Sequence, residues 1–172
     1  MSTQLHHNNS EFIKKSFSIT LVCDQVNSPA NIGSIFRLAD SFGVENIIFC
    51  GQNLTVISKR MIRTARSTYQ FVPYEENENC LDVVRSLKGN GYKVIALEIT
   101  DSSVSLPELK IDPNDKIAIV IGEENFGISA EVLEEVDYVT HINMYGKNSS
   151  MNVASATGIA LYEITNQILI RE

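Results

Sequence analysis

The chain is short of basic residues, of paired cysteines and of long apolar runs. Lys and Arg total 14 against 21 Asp and Glu, a formal net charge of −7. Such a surface repels phosphates at long range. That excludes broad, non-specific affinity for nucleic acid but leaves room for a local basic patch. No apolar stretch reaches the roughly 20 residues that span a bilayer, so no transmembrane helix is expected. Met1 to Ser16 is polar and lacks the apolar centre of a secretory signal. Residues 1–16 therefore read as a flexible leader ahead of a single domain over residues 17–172. The three cysteines, Cys23, Cys50 and Cys80, lack C-x-x-C spacing and sit in or beside apolar segments. They read as free thiols in a reducing cytoplasm. Metal ligands do not cluster, and no metal is expected. His6 and His7 fall in the leader, and His141 stands alone and reads as a structural hydrogen-bond donor.

What is present is an alternation of strands and helices, with no repeat, low-complexity tract or linker. Apolar, β-branched runs at Phe17–Cys23, Asn46–Cys50, Tyr92–Ile99, Lys116–Ile121 and Tyr138–Ile142 predict strands, with a shorter extended run at Gln70–Tyr74. Helices are expected from Asn31, as N-cap, to Ser41, then over Ser58–Arg66 and Leu81–Lys88. Another runs from a Ser129 cap to about Val136, and a long one from Met151 to about Ile170. Asp101 to Asp115, with Pro107 and Pro113, reads as a loop. Continuous apolar strands between amphipathic helices point to an α/β fold, a mostly parallel sheet covered on both faces. Ligands in such folds gather beyond the carboxyl ends of the strands.

Three polar, glycine-marked turns follow strands and so fall at that edge. The first is Asn27 to Arg37. It reads as an N-cap asparagine with a surface arginine, or as a guanidinium reaching into a cleft where its planar fork suits phosphate. The second is Gly122 to Gly127, where Glu124 is free to be solvated, to brace Arg37, or to bond a ligand. It lacks the Lys-Ser/Thr of a phosphate-binding P-loop and does not fit G-x-G-x-x-G, so neither standard nucleotide fingerprint applies. The third is His141 to Asn152, leading into a helix of small residues. Separately, Lys59, Arg60, Arg63 and Arg66 concentrate much of the chain's scarce positive charge in one short segment. Lys59, Arg63 and Arg66 follow i, i+4, i+7 spacing. That is either a solvated helix face or a grip on phosphates.

Taken in order, these turns resemble the three motifs of the SpoU/TrmH family of RNA ribose 2′-O-methyltransferases, within the SPOUT superfamily. Asn31-Ile32-Gly33 with Arg37 is similar to N-x-G-x-x-x-R. Gly122, Glu124 and Gly127 are similar to G-x-E-x-x-G. Ile142, Met144 and Gly146, followed by Ser150, Met151, Asn152 and Val153, are similar to the third motif. The match runs from about Phe17 to Ile170.

The resemblance implies a C-terminal deep trefoil knot, an exception to the rule against knots. It also implies S-adenosylmethionine as cofactor, near Leu97, Gly122, Ile142, Ser150 and Met151. Catalytic roles fall on Arg37, Asn31, Glu124 and Asn152, and RNA contacts on Lys59, Arg60, Arg63 and Arg66. A homodimer is implied, with the small residues Ala154, Ala156, Gly158 and Ala160 placed either at its interface or in the core. Without a flanking RNA-binding domain the chain looks like a minimal member, of the kind that acts on tRNA. The alternatives are an rRNA 2′-O-methyltransferase and a non-catalytic knot protein holding RNA or cofactor. Two positions depart from the pattern. Asn143 stands where the family has proline, and Asn125-Phe126 follow Glu124 in place of a small residue.

Overall fold

The computed structural model describes residues 12–171. Residues 1–11, with His6 and His7, lie outside the described residues. Residues 12–16 run as irregular, exposed chain into the first strand. The elements are β1 (Phe17–Asp24), α1 (Pro29–Ser41), β2 (Val44–Cys50), α2 (Lys59–Ala65), β3 (Tyr74–Asn77) and α3 (Cys80–Gly89). They continue with β4 (Tyr92–Leu97), β5 (Val104–Ser105), β6 (Lys116–Ile121), α4 (Ala130–Glu135), β7 (Tyr138–His141) and α5 (Val153–Arg171). The strands form one sheet in the order β3-β2-β1-β6-β4-β7-β5, every neighbouring pair parallel.

Side chains alternate across a strand, so each central strand feeds two cores. Ile117, Ile119 and Ile121 of β6 join Ile19 and Leu21 of β1 under α1, α2 and α5. Ala118 and Val120 of β6 join Val22 and Val94 under α3 and α4. With both faces covered, the central strands read as unbroken apolar runs, which is why they were legible. Cys23, Cys50 and Cys80 are buried and free. Burial pushes the Cys23 thiol well up, and a hydrogen bond with Cys50 does most to raise that of Cys80. All three behave as small core hydrophobes.

Several expectations are corrected. Asn31 is not the cap of α1. Pro29 occupies the first turn, Ser28 holds the cap position without a side-chain bond, and Asn31 lies buried inside the helix. Ser129 does hold the cap position of α4, but its hydroxyl is spent on Asp24. Thr68–Gln70 is a turn of 3-10 helix, and the edge strand starts only at Tyr74, where the chain pairs with Ile47. The expected loop after Asp101 carries β5 and a 3-10 turn, and it buries Leu106, Leu109 and Ile111. Arg66 falls just past α2 with φ 56°, so the single-face spacing holds for Lys59 and Arg63 and not for Arg66. On α5, Ala154 and Ala160 are buried in the core, and Gly158 packs on Leu38.

Two features of this topology position the site. The carboxyl ends of β1, β6, β4 and β7 share one edge, so all three polar turns meet there. And β7 lies between β4 and β5, two strands already joined by residues 98–103. That is the arrangement a threaded C-terminal segment requires.

Gly33 sets the distance between α1 and α2. A Cβ there would lie 2.7 Å from Thr64 Cβ, 2.8 Å from the Met61 carbonyl oxygen and 2.9 Å from the Ala65 nitrogen. Two of those neighbours are backbone atoms that cannot step aside. Gly33→Ala is expected to cost about 1–3 kcal/mol of stability through overpacking, read as a lower midpoint in urea unfolding.

Candidate active site

Asn152 is the N-cap of α5. Its Oδ1 accepts from the backbone N–H groups of Ala154 at 3.0 Å and Ser155 at 3.2 Å. Its Nδ2 donates to Asn31 Oδ1 at 2.9 Å and to Glu124 Oε1 at 2.8 Å. One amide thus uses both donors and both acceptor positions, and it ties together the first turn of α1, the loop after β6 and the start of α5. The bond also fixes the Asn31 amide. With Oδ1 turned to Asn152, the Asn31 Nδ2 has no partner among the described residues and lines a small cleft with Asn27, Ser28, Glu123 and Glu124. Ser150 is exposed, and its carbonyl accepts from the Asn148 side chain.

Beside that cleft lies a cavity of about 520 Å³. Leu97, Gly122, Ile142, Ser150 and Met151, the residues expected to hold a cofactor, all line it. Ile121, Leu133, Met144 and Val153 add apolar wall, while Glu98, Glu123 and Glu124 add carboxylates. Glu123, Glu124 and Val153 border cavity and cleft alike. The size suits a drug-sized ligand, and the mixed lining suits one with an apolar ring and a cationic end.

The loop after β6 is built by its own side chains. Glu123 accepts from the N–H groups of Asn125 and Phe126 and from the Asn125 amide. Partial desolvation raises the Glu123 pKa, but these three bonds outweigh it and hold the carboxyl below the ordinary glutamate range. Gly127 closes the turn at φ 68° and bonds Glu123 backbone to backbone in both directions. The spacing of Gly122 and Gly127 follows from that closure, since a Cβ on Gly122 would strike the Gly127 carbonyl. Phe126, held at the tip, is 91% exposed. In the third turn, Asn143 donates to Ser105 Oγ at 2.8 Å. That side-chain tether restrains the loop where the family's proline would.

Arg37 is exposed, six residues along α1 from Asn31 or about 9 Å of helix rise. It donates no hydrogen bond to Asn31, Asn152 or Glu124, and Glu124 is committed to Asn152. Lys59, Arg60, Arg63 and Arg66 are all exposed. Sequence reasoning missed Asp24 and Glu98. Buried Asp24 accepts from the Ser129 N–H and hydroxyl, anchoring α4 to the end of β1. Glu98 accepts from the N–H groups of Ile99 and Ile128, anchoring the glycine loop to the end of β4. Each is an acidic residue closing an apolar strand, a signal present but not distinctive. Among the described residues no helix is long and apolar enough to cross a membrane, and no three potential metal ligands are gathered.

Comparison with known proteins places this arrangement in a family. Residues 18–162 match the model of the SpoU rRNA Methylase family, and the chain belongs to it. It is 29% identical over 147 residues to a Staphylococcus saprophyticus protein assigned to the TrmH family of tRNA/rRNA methyltransferases, covering 86% of this chain and 58% of that one. It is 27% identical over 144 residues to the Bacillus subtilis 23S rRNA (guanosine(2553)-2′-O)-methyltransferase RlmP, covering 84% and 56%. The chain thus spans a little over half the length of these two relatives. Among solved structures, the A. aeolicus TrmH/SpoU tRNA modifying enzyme superposes with a TM-score of 0.81 at 26% identity, over 92% of this chain and 79% of that one. An AdoMet-bound rRNA methyltransferase from Sinorhizobium meliloti gives 0.81 and 26%, over 90% and 58%. A structure described for 2-OH methylation of C/U34 on tRNA gives 0.78 and 25%, over 89% and 97%.

Asn152→Ala removes the α5 cap together with both lateral bonds. Loss of the cap alone is expected to lower stability by about 1 kcal/mol in urea unfolding. The freed Asn31 and Glu124 side chains are expected to show it as altered amide resonances in α1 and the glycine loop.

Proposed function

We propose that this protein transfers a methyl group from S-adenosylmethionine to a ribose 2′-hydroxyl of RNA, with tRNA as the favoured substrate. The observation that carries the reading is the hydrogen-bonded set Asn31–Asn152–Glu124, set against a cavity lined by all five residues expected to hold the cofactor. When bound, the cofactor supplies an electrophilic methyl on a sulfonium. Leu97, Ile142 and Met151 hold its apolar part, and the carboxylates around Gly122 complement its positive charge.

The residues of the cleft then position the ribose. Asn31 Nδ2 can only donate, so it holds the 2′-oxygen through a lone pair and does not take its proton. Asn152 keeps that amide in register, and Glu124 braces Asn152. Arg37 stays charged at any ordinary pH, so it does not act as a base. Exposed and unpartnered among the described residues, it binds the adjacent phosphate and stabilises charge developing on the 2′-oxygen. An RNA phosphate or water takes the proton. Orientation of this kind removes about 7–11 kcal/mol of a barrier in favourable cases.

Lys59, Arg60, Arg63 and Arg66 grip the backbone. α5 turns Ile159 (42% exposed), Tyr162 (63%) and Leu169 (50%) outward at helical spacing. This apolar stripe supports a homodimer formed through α5. The reading of tRNA is supported by the likeness to the structure described for 2-OH methylation of C/U34 on tRNA. The likeness to RlmP supports rRNA as the second reading.

Mapping 2′-O-methyl positions in total RNA, with and without the protein, tests the activity. Loss of a methylated tRNA position is the expected result, an rRNA position selects the second reading, and no change rejects both. Neutralising three to four phosphates gives a slope of log K against log salt of about −2 to −3 on the single-strand rule. Replacing Arg63 and Arg66 together by Ala is expected to weaken RNA binding and flatten that slope by about 1.4. An unchanged slope returns the patch to a solvated helix face.

A further inference from the structure

His141 closes β7 and lines the cavity, and its ring is not free to choose its tautomer. Its Nδ1 lies 2.9 Å from Ser103 Oγ, in the segment after β4. Distance alone leaves the donor undefined, but the other bonds of that hydroxyl decide it. Ser103 Oγ lies 2.9 Å from the Thr100 carbonyl oxygen. A carbonyl has no proton to give, so the hydroxyl proton of Ser103 is committed there. Ser103 Oγ also accepts from the Thr100 N–H at 3.1 Å, which fills one of its two lone pairs. What remains is a single lone pair facing Nδ1, so Nδ1 carries the hydrogen and donates. In the neutral ring Nε2 is then the unprotonated nitrogen, an acceptor.

Nε2 has no hydrogen-bond partner among the described residues. It is not sealed in the core either, because among the described residues the one buried side-chain polar atom left without a partner is Asn46 Oδ1. The ring is half-buried at the cavity wall, so its open edge is available to whatever fills the cavity. Glu98, the neighbouring polar group on the β4 side, is likewise an acceptor. This side of the cavity therefore asks its ligand for hydrogen-bond donors. The adenosine half of the cofactor carries them, in its exocyclic amine and its ribose hydroxyls.

We propose that His141, locked by Ser103 as the Nδ1–H tautomer, accepts through Nε2 a hydrogen bond from the adenosine half of the methyl donor and so helps to select it. Ser103 is a positioning residue that acts through the ring. The inference rests on the methyl-donor reading given above and extends it to residues outside the three motifs.

The test is calorimetry of the full chain with S-adenosylhomocysteine, which carries the same adenosine. His141→Phe keeps a ring and removes the acceptor, and is expected to weaken binding by about tenfold. The penalty should vanish for one of three analogues, the 6-desamino, 2′-deoxy or 3′-deoxy form, and that analogue identifies the donor group. A penalty equal on all three, or none at all, overturns the contact. Nitrogen-15 spectra of the histidine ring test the lock without any ligand. The unaltered protein should show hydrogen on Nδ1 of His141, Ser103→Ala should give a tautomer mixture with weaker binding, and Ser103→Thr should restore both. Hydrogen found on Nε2 overturns the proposal even if His141→Phe fails to fold. If the unaltered protein takes up no S-adenosylhomocysteine, the methyl-donor reading fails and this inference with it. Binding that His141→Phe leaves unchanged removes the inference alone.

Discussion

The Asn152 side chain is the joint on which the site depends. A carboxamide has two hydrogens and two acceptor positions, and here all four are used, by three separate parts of the chain. The acceptor side satisfies N–H groups that a helix start leaves open. The donor side reaches 121 residues back to Asn31 and 28 residues back to Glu124. Asp at this place would keep the cap and lose both lateral donors, and Ser would be too short to span all three elements. Geometry, more than polarity, calls for asparagine here.

Around that joint the fold supplies rigidity from local bonds. The glycine loop is held by Glu123 from within, by Glu98 from β4 and by Glu124 through Asn152. Asp24 fixes the helix that follows it. None of these four carboxylates forms an ion pair among the described residues; each except Glu124 works by accepting backbone N–H groups. Charge-assisted bonds of this sort are stronger than neutral ones, so the acidic composition is partly explained by loop construction. Lys59, Arg60, Arg63, Arg66 and Arg37 stand outside this set, all exposed, where they are open to an anionic partner.

Much of the fold was legible because both sheet faces are covered. Strands buried on two sides show as short apolar runs, and Tyr92–Ile99 and Lys116–Ile121 stood out for that reason, although the first strand ends already at Leu97. The weak places were those where tertiary contact overrides local pattern. β3 is exposed and reads Tyr-Glu-Glu-Asn, a sequence with no apolar alternation that pairs only because β2 offers an open edge. β5 is two residues long and exists by pairing with β7. In the site, the motif spacing located the residues but not their bonds. Asn31 looked like a cap because asparagine favours caps, yet the proline two residues earlier starts α1 sooner and carries Asn31 inside. Ser103 and Glu98 act through positions 38 and 30 residues away, a partnership no local pattern encodes.

The missing side chain at Gly33 has an effect that reaches beyond packing. It lets α2 rest directly on the backbone of α1, two residues from Asn31. The cationic segment and the asparagine that orients the cleft are therefore geared together as one rigid piece. Sliding one helix along the other would drive backbone into backbone, so this contact holds a single register. The room for change lies in the surrounding turns, where Phe126 and Tyr145 stand almost wholly in water.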